Sequence, residues 1–182
     1  TNCMMFNLVA PLEMALRDGV HPVVGPERLG PSTGAPRAFR TFEDFVVAYE
    51  RQLAWLLDMS VEGNDILGRA HQALRPTPLL SSLFEGPLAS GRDLIDGGAR
   101  YNTSGTAMIG LTDVIDSLSA IRTLVFDRRT ADFDTLLRAL DADFAGHSWA
   151  LVLSPTLQAR AGPVVAFSNF TYTFLRIRPI SD

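Results

Sequence analysis

The side chains able to supply a nucleophile or bind a metal ion are few and widely separated in this sequence. Cys3 is the only cysteine, which excludes an internal disulfide bond and a thiolate metal cluster. The chain has three histidines, His21, His71 and His147. Their spacing is not that of a metal site, and we expect surface or capping roles. Asp113 and Asp116 could act as paired carboxylates, but their position near a predicted helix start favours an interaction with the helix dipole. The residues therefore indicate no metal site and no self-contained catalytic group.

A run of polar residues between two glycines is the best candidate for contact with a ligand. It contains four side chains with hydrogen-bonding groups: Tyr101, Asn102, Ser104 and Thr106. Gly98 and Gly105 allow the backbone to approach another group closely or to adopt positive φ. The alternative interpretation is a polar turn that serves backbone hydrogen bonds.

The composition is that of a globular protein. Of the 182 residues, 47% are apolar and 20% are charged, enough for one domain with a hydrophobic core. A net charge of −4 argues against binding to nucleic acid or to an anionic membrane. No apolar run reaches the roughly 20 residues that span a bilayer, and no basic region precedes the first apolar residues. We therefore expect a cytoplasmic protein that binds neither nucleic acid nor membranes.

Hydrophobic periodicity predicts a mainly helical body. The predicted helices cover residues 6–18, 42–57 and 65–74, with short pieces after Thr77 and around Ala89 and longer ones after Thr112 and Asp132. Thr41 and Asp44 form a capping-box-like start. Thr112 and Asp132 are predicted N-caps. Residues 99–109 favour a short strand or an irregular segment.

The last 35 residues differ in composition from the rest. Residues 148–182 contain three arginines but only one acidic residue, Asp182. They include β-prone pieces and no helical periodicity. We predict a boundary here, with a folded portion at 1–147 and a divergent tail of unknown structure at 148–182.

Four stretches resemble, in the same order, sequence patterns of the glycyl radical enzymes of the pyruvate formate-lyase family. They are Phe6–Leu8 with Leu12–Gly19; Gly30–Gly34 with Thr41–Phe45; Pro78–Gly86 with Gly91–Asp93; and Gly97–Gly105 with Gly110–Val114, Asp116–Ile121 and Leu124–Phe126. The fourth stretch is the most specific. Together they identify residues 6–147 as similar to an internal piece of such an enzyme.

The resemblance implies a mainly α fragment of an α/β barrel, in which ten strands are surrounded by helices. In the family, a glycyl radical stored in a C-terminal loop abstracts hydrogen from a cysteine, and the thiyl radical attacks a small organic acid or alcohol. A separate iron–sulfur enzyme that uses S-adenosylmethionine installs the radical, and the enzyme is a homodimer.

The resemblance also implies roles for particular residues. The segment that matches Tyr101, Asn102, Ser104 and Thr106 runs close to the active-site cavity, which makes these residues the predicted substrate contacts. The reaction would be of the formate acetyltransferase, decarboxylase, dehydratase or fumarate-adding type. The pattern Tyr-Asn-Thr-Ser-Gly-Thr is more similar to the decarboxylase and fumarate-adding branches.

The sequence departs from the family at both radical-carrying positions. Cys3 is followed by two methionines and lacks the glutamate of the family's Cys-x-Glu loop, so we expect a small buried thiol. The Arg-Val-x-Gly-Tyr pattern of the glycyl loop is absent, and Gly162 does not resemble it. We expect no bound cofactor, no radical and no turnover from this chain alone.

Three alternatives remain for the role of such a chain. It could be a non-catalytic helical interaction module, a degraded gene product, or a subunit that supplies a missing segment to a damaged enzyme. Helices taken from a large barrel should expose apolar faces, whereas an independent module should not.

Overall fold

The computed structural model describes residues 3–103, 105–142 and 144, and the chain divides into two compact units. The strand unit comprises Thr1–Asn7 and Leu56–Ile109, and the helical unit comprises Leu8–Trp55 and Gly110–Asp182. The longer elements are β1 (Cys3–Asn7), α1 (Val9–Leu16), α2 (Phe42–Leu74), α3 (Pro78–Ser81), α4 (Pro87–Ser90), β2 (Gly105–Ile109), α5 (Leu111–Ile121) and α6 (Phe133–Asp141). Two 3₁₀ turns (Pro36–Ala38 and Leu94–Asp96) and a π-helical segment (Arg122–Asp127) complete them. The described part of the chain is mainly helical, as predicted. The predicted tail at 148–182 lies outside the described residues.

The strand unit contains a two-stranded parallel sheet. β1 pairs with β2 in a register that runs from Cys3 opposite Gly105 to Asn7 opposite Ile109. Of the two alternatives predicted for residues 99–109, a short strand or an irregular segment, the strand is present at Gly105–Ile109. The helix predicted from residue 6 is wrong at its start, because Phe6 and Asn7 belong to β1. Their strand partner lies about 100 positions away, so no local periodicity could reveal it.

Helix α2 begins as predicted but is longer than predicted. The Asp44 N–H donates to Thr41 Oγ1 (3.1 Å), and the Thr41 N–H donates to Asp44 Oδ2 (3.0 Å), which is a reciprocal capping box. The two helices predicted at 42–57 and 65–74 form one helix that continues through Gly63. A single glycine costs a helix only about 1 kcal/mol, whereas proline would stop it. The helix ends at Leu74, just before the Arg75-Pro76 pair.

The later helices in the helical unit start differently from one another. Asp132 caps α6, as predicted, because its carboxylate accepts a hydrogen bond from the Thr135 N–H at 2.8 Å. The prediction that Thr112 caps α5 is wrong. That helix starts at Leu111 after Gly110, which has φ of +87° and supplies no side-chain cap. Glycine permits this left-handed conformation, so the chain can turn sharply into the helix.

Aromatic rings and α1 form the core of the helical unit. All eight residues of α1 are buried. The Phe45 ring is fully buried, with its centroid 5.4 Å from that of Phe133 and 5.7 Å from that of Phe39. Phe126 packs edge-on against Phe133 at 5.7 Å. Such aromatic pairs add to the free energy gained from apolar burial.

One carboxylate is buried with this core. Glu13 of α1 is 7% exposed and lies 3.5 Å from Arg17, whose guanidinium also contacts Asp141 of α6 at 2.8 Å. Burial raises the pKa of Glu13, and the positive charge of Arg17 opposes that rise. The ion pairs therefore tie the buried end of α1 to α6.

The Gly30–Gly34 loop is held by Asp18, which follows α1. Asp18 Oδ1 accepts hydrogen bonds from the Ser32 hydroxyl (2.9 Å) and from the Thr33 and Gly34 N–H groups (2.8 Å each). Its Oδ2 accepts one from Arg28 at 2.6 Å. Burial acts to raise the pKa of Asp18, but the hydrogen bonds outweigh it and lower the pKa below its usual value.

The same loop is fixed from its other side by α2. Gln52 is fully buried, and its amide donates to the Pro31 carbonyl (2.8 Å) and to the Thr33 hydroxyl (3.0 Å). A side chain at Gly30 would collide with Gln52 and with Met14. The loop is thus bound on both sides by groups of its own unit, which gives its sequence pattern a structural role.

Replacement of Asp18 by asparagine is expected to lower the free energy of unfolding at pH 7 by about 1–3 kcal/mol, since it removes charge-assisted hydrogen bonds from a clamped loop. Because the folded-state pKa of Asp18 lies below the unfolded value of about 3.9, the carboxylate stabilises the fold above that value. Its contribution is lost as the pH falls through the folded-state pKa. Urea unfolding at several pH values should show the two proteins converging in acid. A constant difference from pH 7 to pH 2 would contradict this account.

None of the helices in the described ranges has the length and apolarity needed to cross a membrane.

Candidate substrate-binding segment

The carboxylate of Asp93 organises the turns that precede the predicted substrate contacts. Asp93 Oδ2 accepts a hydrogen bond from the Thr77 N–H at 2.7 Å, and Oδ1 accepts from the Thr77 hydroxyl at 2.8 Å and from the Ile95 N–H at 3.0 Å. Loss of hydration acts to raise the pKa of Asp93, but these hydrogen bonds outweigh it and lower the pKa. An ionised carboxylate therefore ties the start of α3 to the Leu94–Asp96 turn.

Backbone hydrogen bonds also fix the chain between Asp93 and Arg100. The Gly98 N–H donates to the Asp93 carbonyl at 2.9 Å. The Arg100 N–H donates to the Glu85 carbonyl at 2.9 Å, and the two side chains form an exposed ion pair at 2.6 Å. Nearby, the hydroxyl of the buried Ser81 accepts from the Leu94 N–H at 2.8 Å. The residue before Tyr101 is thus fixed by its main chain.

Two glycines in these turns have no room for a side chain. A Cβ atom at Gly98 would collide with the carbonyl groups of Arg92 and Asp93. At Gly86, which has φ of +113°, it would lie 2.5 Å from the Gly98 carbonyl oxygen. Gly98 does allow a close backbone approach, as the sequence predicts, but the group that approaches is another part of the same turn.

The predicted contact residues follow this turn and enter β2. Tyr101 is 81% exposed, with the Arg100 guanidinium 5.5 Å from its ring centroid. Asn102 and Thr106 are also exposed, and Thr106 pairs with Met4 in the sheet. Ser104 lies outside the described residues.

The polar groups of these side chains remain available to a ligand. Within the described ranges, the side chains of Tyr101, Asn102 and Thr106 make no hydrogen bond. A turn whose polar side chains served its own backbone would show such bonds. The segment can therefore offer a phenol, an amide and a hydroxyl group to a small polar molecule.

Parallel pairing places this segment at a defined end of the sheet. Since Cys3 lies opposite Gly105 and both strands run in the same direction, the chain enters β1 and β2 at the same end. Residues 101–103 therefore lie at the end of the sheet at which β1 begins.

A second concave region lies in the helical unit and involves none of the predicted residues. It is a cleft of about 450 Å³ between the start of α2 and the π-helical segment, and its lining includes Phe42, Arg122 and Phe126. The Phe42 ring packs against Phe126 with centroids 6.1 Å apart, and Arg122 covers it at 5.7 Å. Sequence reasoning missed the cleft because its walls come from segments some 80 positions apart.

Clusters of potential metal ligands are not found among residues 3–103, 105–142 and 144, where no group of three or more His, Cys, Asp or Glu side chains is placed to bind an ion.

Comparison with known sequences decides the family. The sequence model of the pyruvate formate lyase-like family matches residues 1–169. The chain belongs to this family. The matched range covers the whole described part and reaches into the segment predicted as a divergent tail.

Similar proteins within the family are glycyl radical dehydratases and lyases. The chain is 37% identical, over 147 residues, to trans-4-hydroxy-L-proline dehydratase of Clostridioides difficile, which is 81% of this chain and 18% of that enzyme. It is 32% identical, over 145 residues, to (2S)-3-sulfopropanediol dehydratase of Klebsiella oxytoca, which is 79% of this chain and 17% of that enzyme. The crystal structure of the C. difficile enzyme with trans-4-hydroxy-L-proline bound matches with a TM-score of 0.76, over 82% of this chain and 19% of that chain. The chain thus spans less than a fifth of the length of these relatives.

The residues of this sequence do not fit the radical groups that its family uses. The Cys-x-Glu and Arg-Val-x-Gly-Tyr patterns are both missing from the 182 residues. No chemical step through a glycyl or thiyl radical can therefore be assigned to groups of this chain.

Proposed function

We propose that this chain forms part of the substrate-binding wall of a glycyl radical dehydratase, with Tyr101, Asn102, Ser104 and Thr106 as its contacts. The observation that carries the proposal is the 37% identity to a dehydratase, combined with polar groups on Tyr101, Asn102 and Thr106 that have no hydrogen-bond partner among the described residues. In the complete enzyme, β1 and β2 would be two neighbouring strands of the barrel.

The proposed substrate is a small molecule with a hydroxyl group that is eliminated as water. Two of the similar enzymes, including the one with 37% identity, are dehydratases named for hydroxylated compounds, a hydroxyproline and a sulfopropanediol. An amide and hydroxyl groups can donate to and accept from a substrate hydroxyl, which would hold the leaving group in one orientation. These similarities favour the dehydratase type over the decarboxylase and fumarate-adding types that the sequence pattern suggested.

The chemistry itself requires groups from outside this sequence. The family resemblance supplies the proposal that a glycyl radical is installed by an S-adenosylmethionine-dependent iron–sulfur enzyme and that the working enzyme is a homodimer. This chain's residues would bind and orient the substrate and keep water out of the reaction. Alone, the chain would turn over nothing, and electron paramagnetic resonance after treatment with an activating enzyme should show no glycyl doublet.

A chimeric enzyme tests the proposed substrate contacts. It is the C. difficile dehydratase with residues 3–147 of this chain in place of its own matching stretch. We expect the activated chimera to dehydrate trans-4-hydroxy-L-proline. Substituting Asn102→Ala or Thr106→Val should lower kcat/KM by roughly 5–150-fold, because each lost hydrogen bond to a substrate is worth about 1–3 kcal/mol.

The matched control is Glu62→Ala, which removes an exposed side chain of α2. The glycyl radical signal should be equal in all these variants, since the substitutions act on substrate binding and leave radical installation intact. If Asn102→Ala and Thr106→Val match the control in kcat/KM, the proposed contacts are wrong. An active isolated chain would contradict the proposal that it needs the remaining segments.

A further inference from the structure

Arg100 connects the predicted contact Tyr101 to the turn that precedes it. Its N–H donates to the Glu85 carbonyl at 2.9 Å, and its guanidinium Nη1 donates to Glu85 Oε1 at 2.6 Å. The same guanidinium lies over the Tyr101 ring, 5.5 Å from the ring centroid. Glu85 thus holds Arg100 by both main chain and side chain, while Arg100 in turn contacts the ring.

The backbone next to Glu85 packs directly against residues 98–100. A Cβ atom at Gly86 would lie 2.5 Å from the Gly98 carbonyl oxygen and 2.7 Å from the Arg100 nitrogen, so the two stretches of main chain are in contact. Gly86 has φ of +113°, which glycine adopts without strain. The carboxylate of Glu85 therefore extends from a fixed main chain, which limits where the guanidinium can lie.

The Tyr101 ring has little else to hold it. Its side chain is 81% exposed, and among residues 3–103, 105–142 and 144 no other aromatic ring packs against it and no hydrogen bond reaches its hydroxyl group. A cation over the face of an aromatic ring is attracted by the quadrupole of the ring, so the attraction depends on how the ring is turned. The Arg100 guanidinium therefore favours one orientation of the phenol.

The charge of Arg100 is already compensated within this turn. The Arg100 side chain is 59% exposed and that of Glu85 71%, and exposed ion pairs of this kind add little to stability. A guanidinium that donates to a carboxylate at 2.6 Å is also a weaker anchor for an anionic part of a substrate than an unpaired one. Orientation of the neighbouring ring is the role that fits these contacts best.

We infer that Glu85 and Arg100 are positioning residues that fix the orientation of the Tyr101 phenol at the candidate substrate site. The inference rests on the proposed function, because it takes Tyr101 to be a substrate contact. It goes beyond that function by assigning a role to two residues that need not touch the substrate. A phenol that is oriented before the substrate arrives loses less conformational entropy on binding, so the pair should act on the substrate through Tyr101.

The first test observes the ring itself in the full 182-residue chain by fluorine NMR. The chain is labelled with 3-fluorotyrosine at its three tyrosines, and Tyr101→Phe identifies the resonance of Tyr101. Arg100→Met and Glu85→Gln should each shift this resonance toward that of a solvated tyrosine. The control Glu62→Gln, which changes an exposed carboxylate of α2, should leave it in place. An unchanged Tyr101 resonance in Arg100→Met would overturn the inference.

A charge exchange separates the effect of the cation from that of the ion pair. Glu85→Arg combined with Arg100→Glu keeps an ion pair across the turn but places a carboxylate beside the ring. This exchange should shift the Tyr101 resonance as far as Arg100→Met does, whereas Arg100→Lys, which keeps the positive charge, should shift it less. If the exchange restores the original resonance, the pair only ties the turn together and the inference is wrong.

Kinetics of the activated chimeric dehydratase test whether the pair acts through Tyr101. Arg100→Met should lower kcat/KM for trans-4-hydroxy-L-proline by about 3–30-fold, which corresponds to the usual strength of a cation–π contact. In a chimera that also carries Tyr101→Phe, the same substitution should have no effect, because no phenol remains to be oriented. An equal loss in both backgrounds would show that Arg100 meets the substrate itself and would overturn the inference. If Tyr101→Phe alone leaves kcat/KM unchanged, the proposed contact is wrong, and the fluorine shifts then decide the orienting role of the pair on their own.

Discussion

Replacing Gly98 with alanine should disrupt the turn that leads to the candidate substrate contacts. The free energy that stabilises this turn should fall by about 2–3 kcal/mol, the upper part of the usual range for overpacking. The added methyl group would collide with the carbonyl groups of Arg92 and Asp93. These are backbone atoms, so they cannot rotate aside as the end of a long side chain can. The Gly98 N–H also donates to the Asp93 carbonyl, which means that moving the turn breaks a hydrogen bond as well.

The matched control for this change is Gly105→Ala, because no atom lies within 4 Å of the position that its Cβ would occupy. Hydrogen exchange measured by mass spectrometry should show faster exchange in residues 93–103 for Gly98→Ala and little change for Gly105→Ala. In the chimeric dehydratase, Gly98→Ala should lower kcat/KM by displacing Tyr101 and Asn102. Equal exchange in the two alanine variants would mean that the turn can relax without cost.

Features of this fold that depend on neighbouring residues could be predicted from the sequence. The capping box of Thr41 and Asp44 and the cap at Asp132 are patterns of three or four positions, and both are present. The end of α2 before Pro76 was likewise predictable from the constraint that proline places on the preceding residue. In each case the energetic cause and the sequence signal occupy the same few residues.

Two features of the fold could not be predicted from the sequence, the strand at the start of the chain and the start of α5. The apolar run at Cys3–Phe6 fits a helix as well as a strand, and only its pairing with Gly105–Met108 makes it a strand. At the start of α5, Gly110 adopts positive φ and removes the need for a cap from Thr112. Neither choice can be read from periodicity over a short window.

The candidate site also combines residues that the sequence predicts with contacts that only the structure shows. The identities of Tyr101, Asn102 and Thr106 and their neighbouring glycines were visible in the sequence. Two further facts were not: Asp93, eight positions before Tyr101, organises the preceding turn, and Gly98 is packed against that turn. Both depend on contacts with Thr77 and Arg92, whose roles only the folded backbone defines.

Phe45→Ala should cause the largest loss of stability, about 3–5 kcal/mol, as for other buried phenylalanines replaced by alanine. The Phe45 ring is fully buried between Phe39 and Phe133, so its removal leaves a cavity lined by aromatic rings and also removes two aromatic contacts. Urea unfolding followed by circular dichroism would measure the loss. Val47→Ala, two positions along the same helix at a residue that is 53% exposed, should cost less than about 1 kcal/mol.

Hydrogen exchange shows which part of the chain Phe45→Ala destabilises. If Phe39, Phe45 and Phe133 form a core that belongs to the helical unit, Phe45→Ala should speed hydrogen exchange in residues 8–55 and 110–142. The amides of β1 and β2 belong to the strand unit, so their exchange should change little. A variant in which β1 and β2 lose protection first would contradict this assignment of the core to the helical unit.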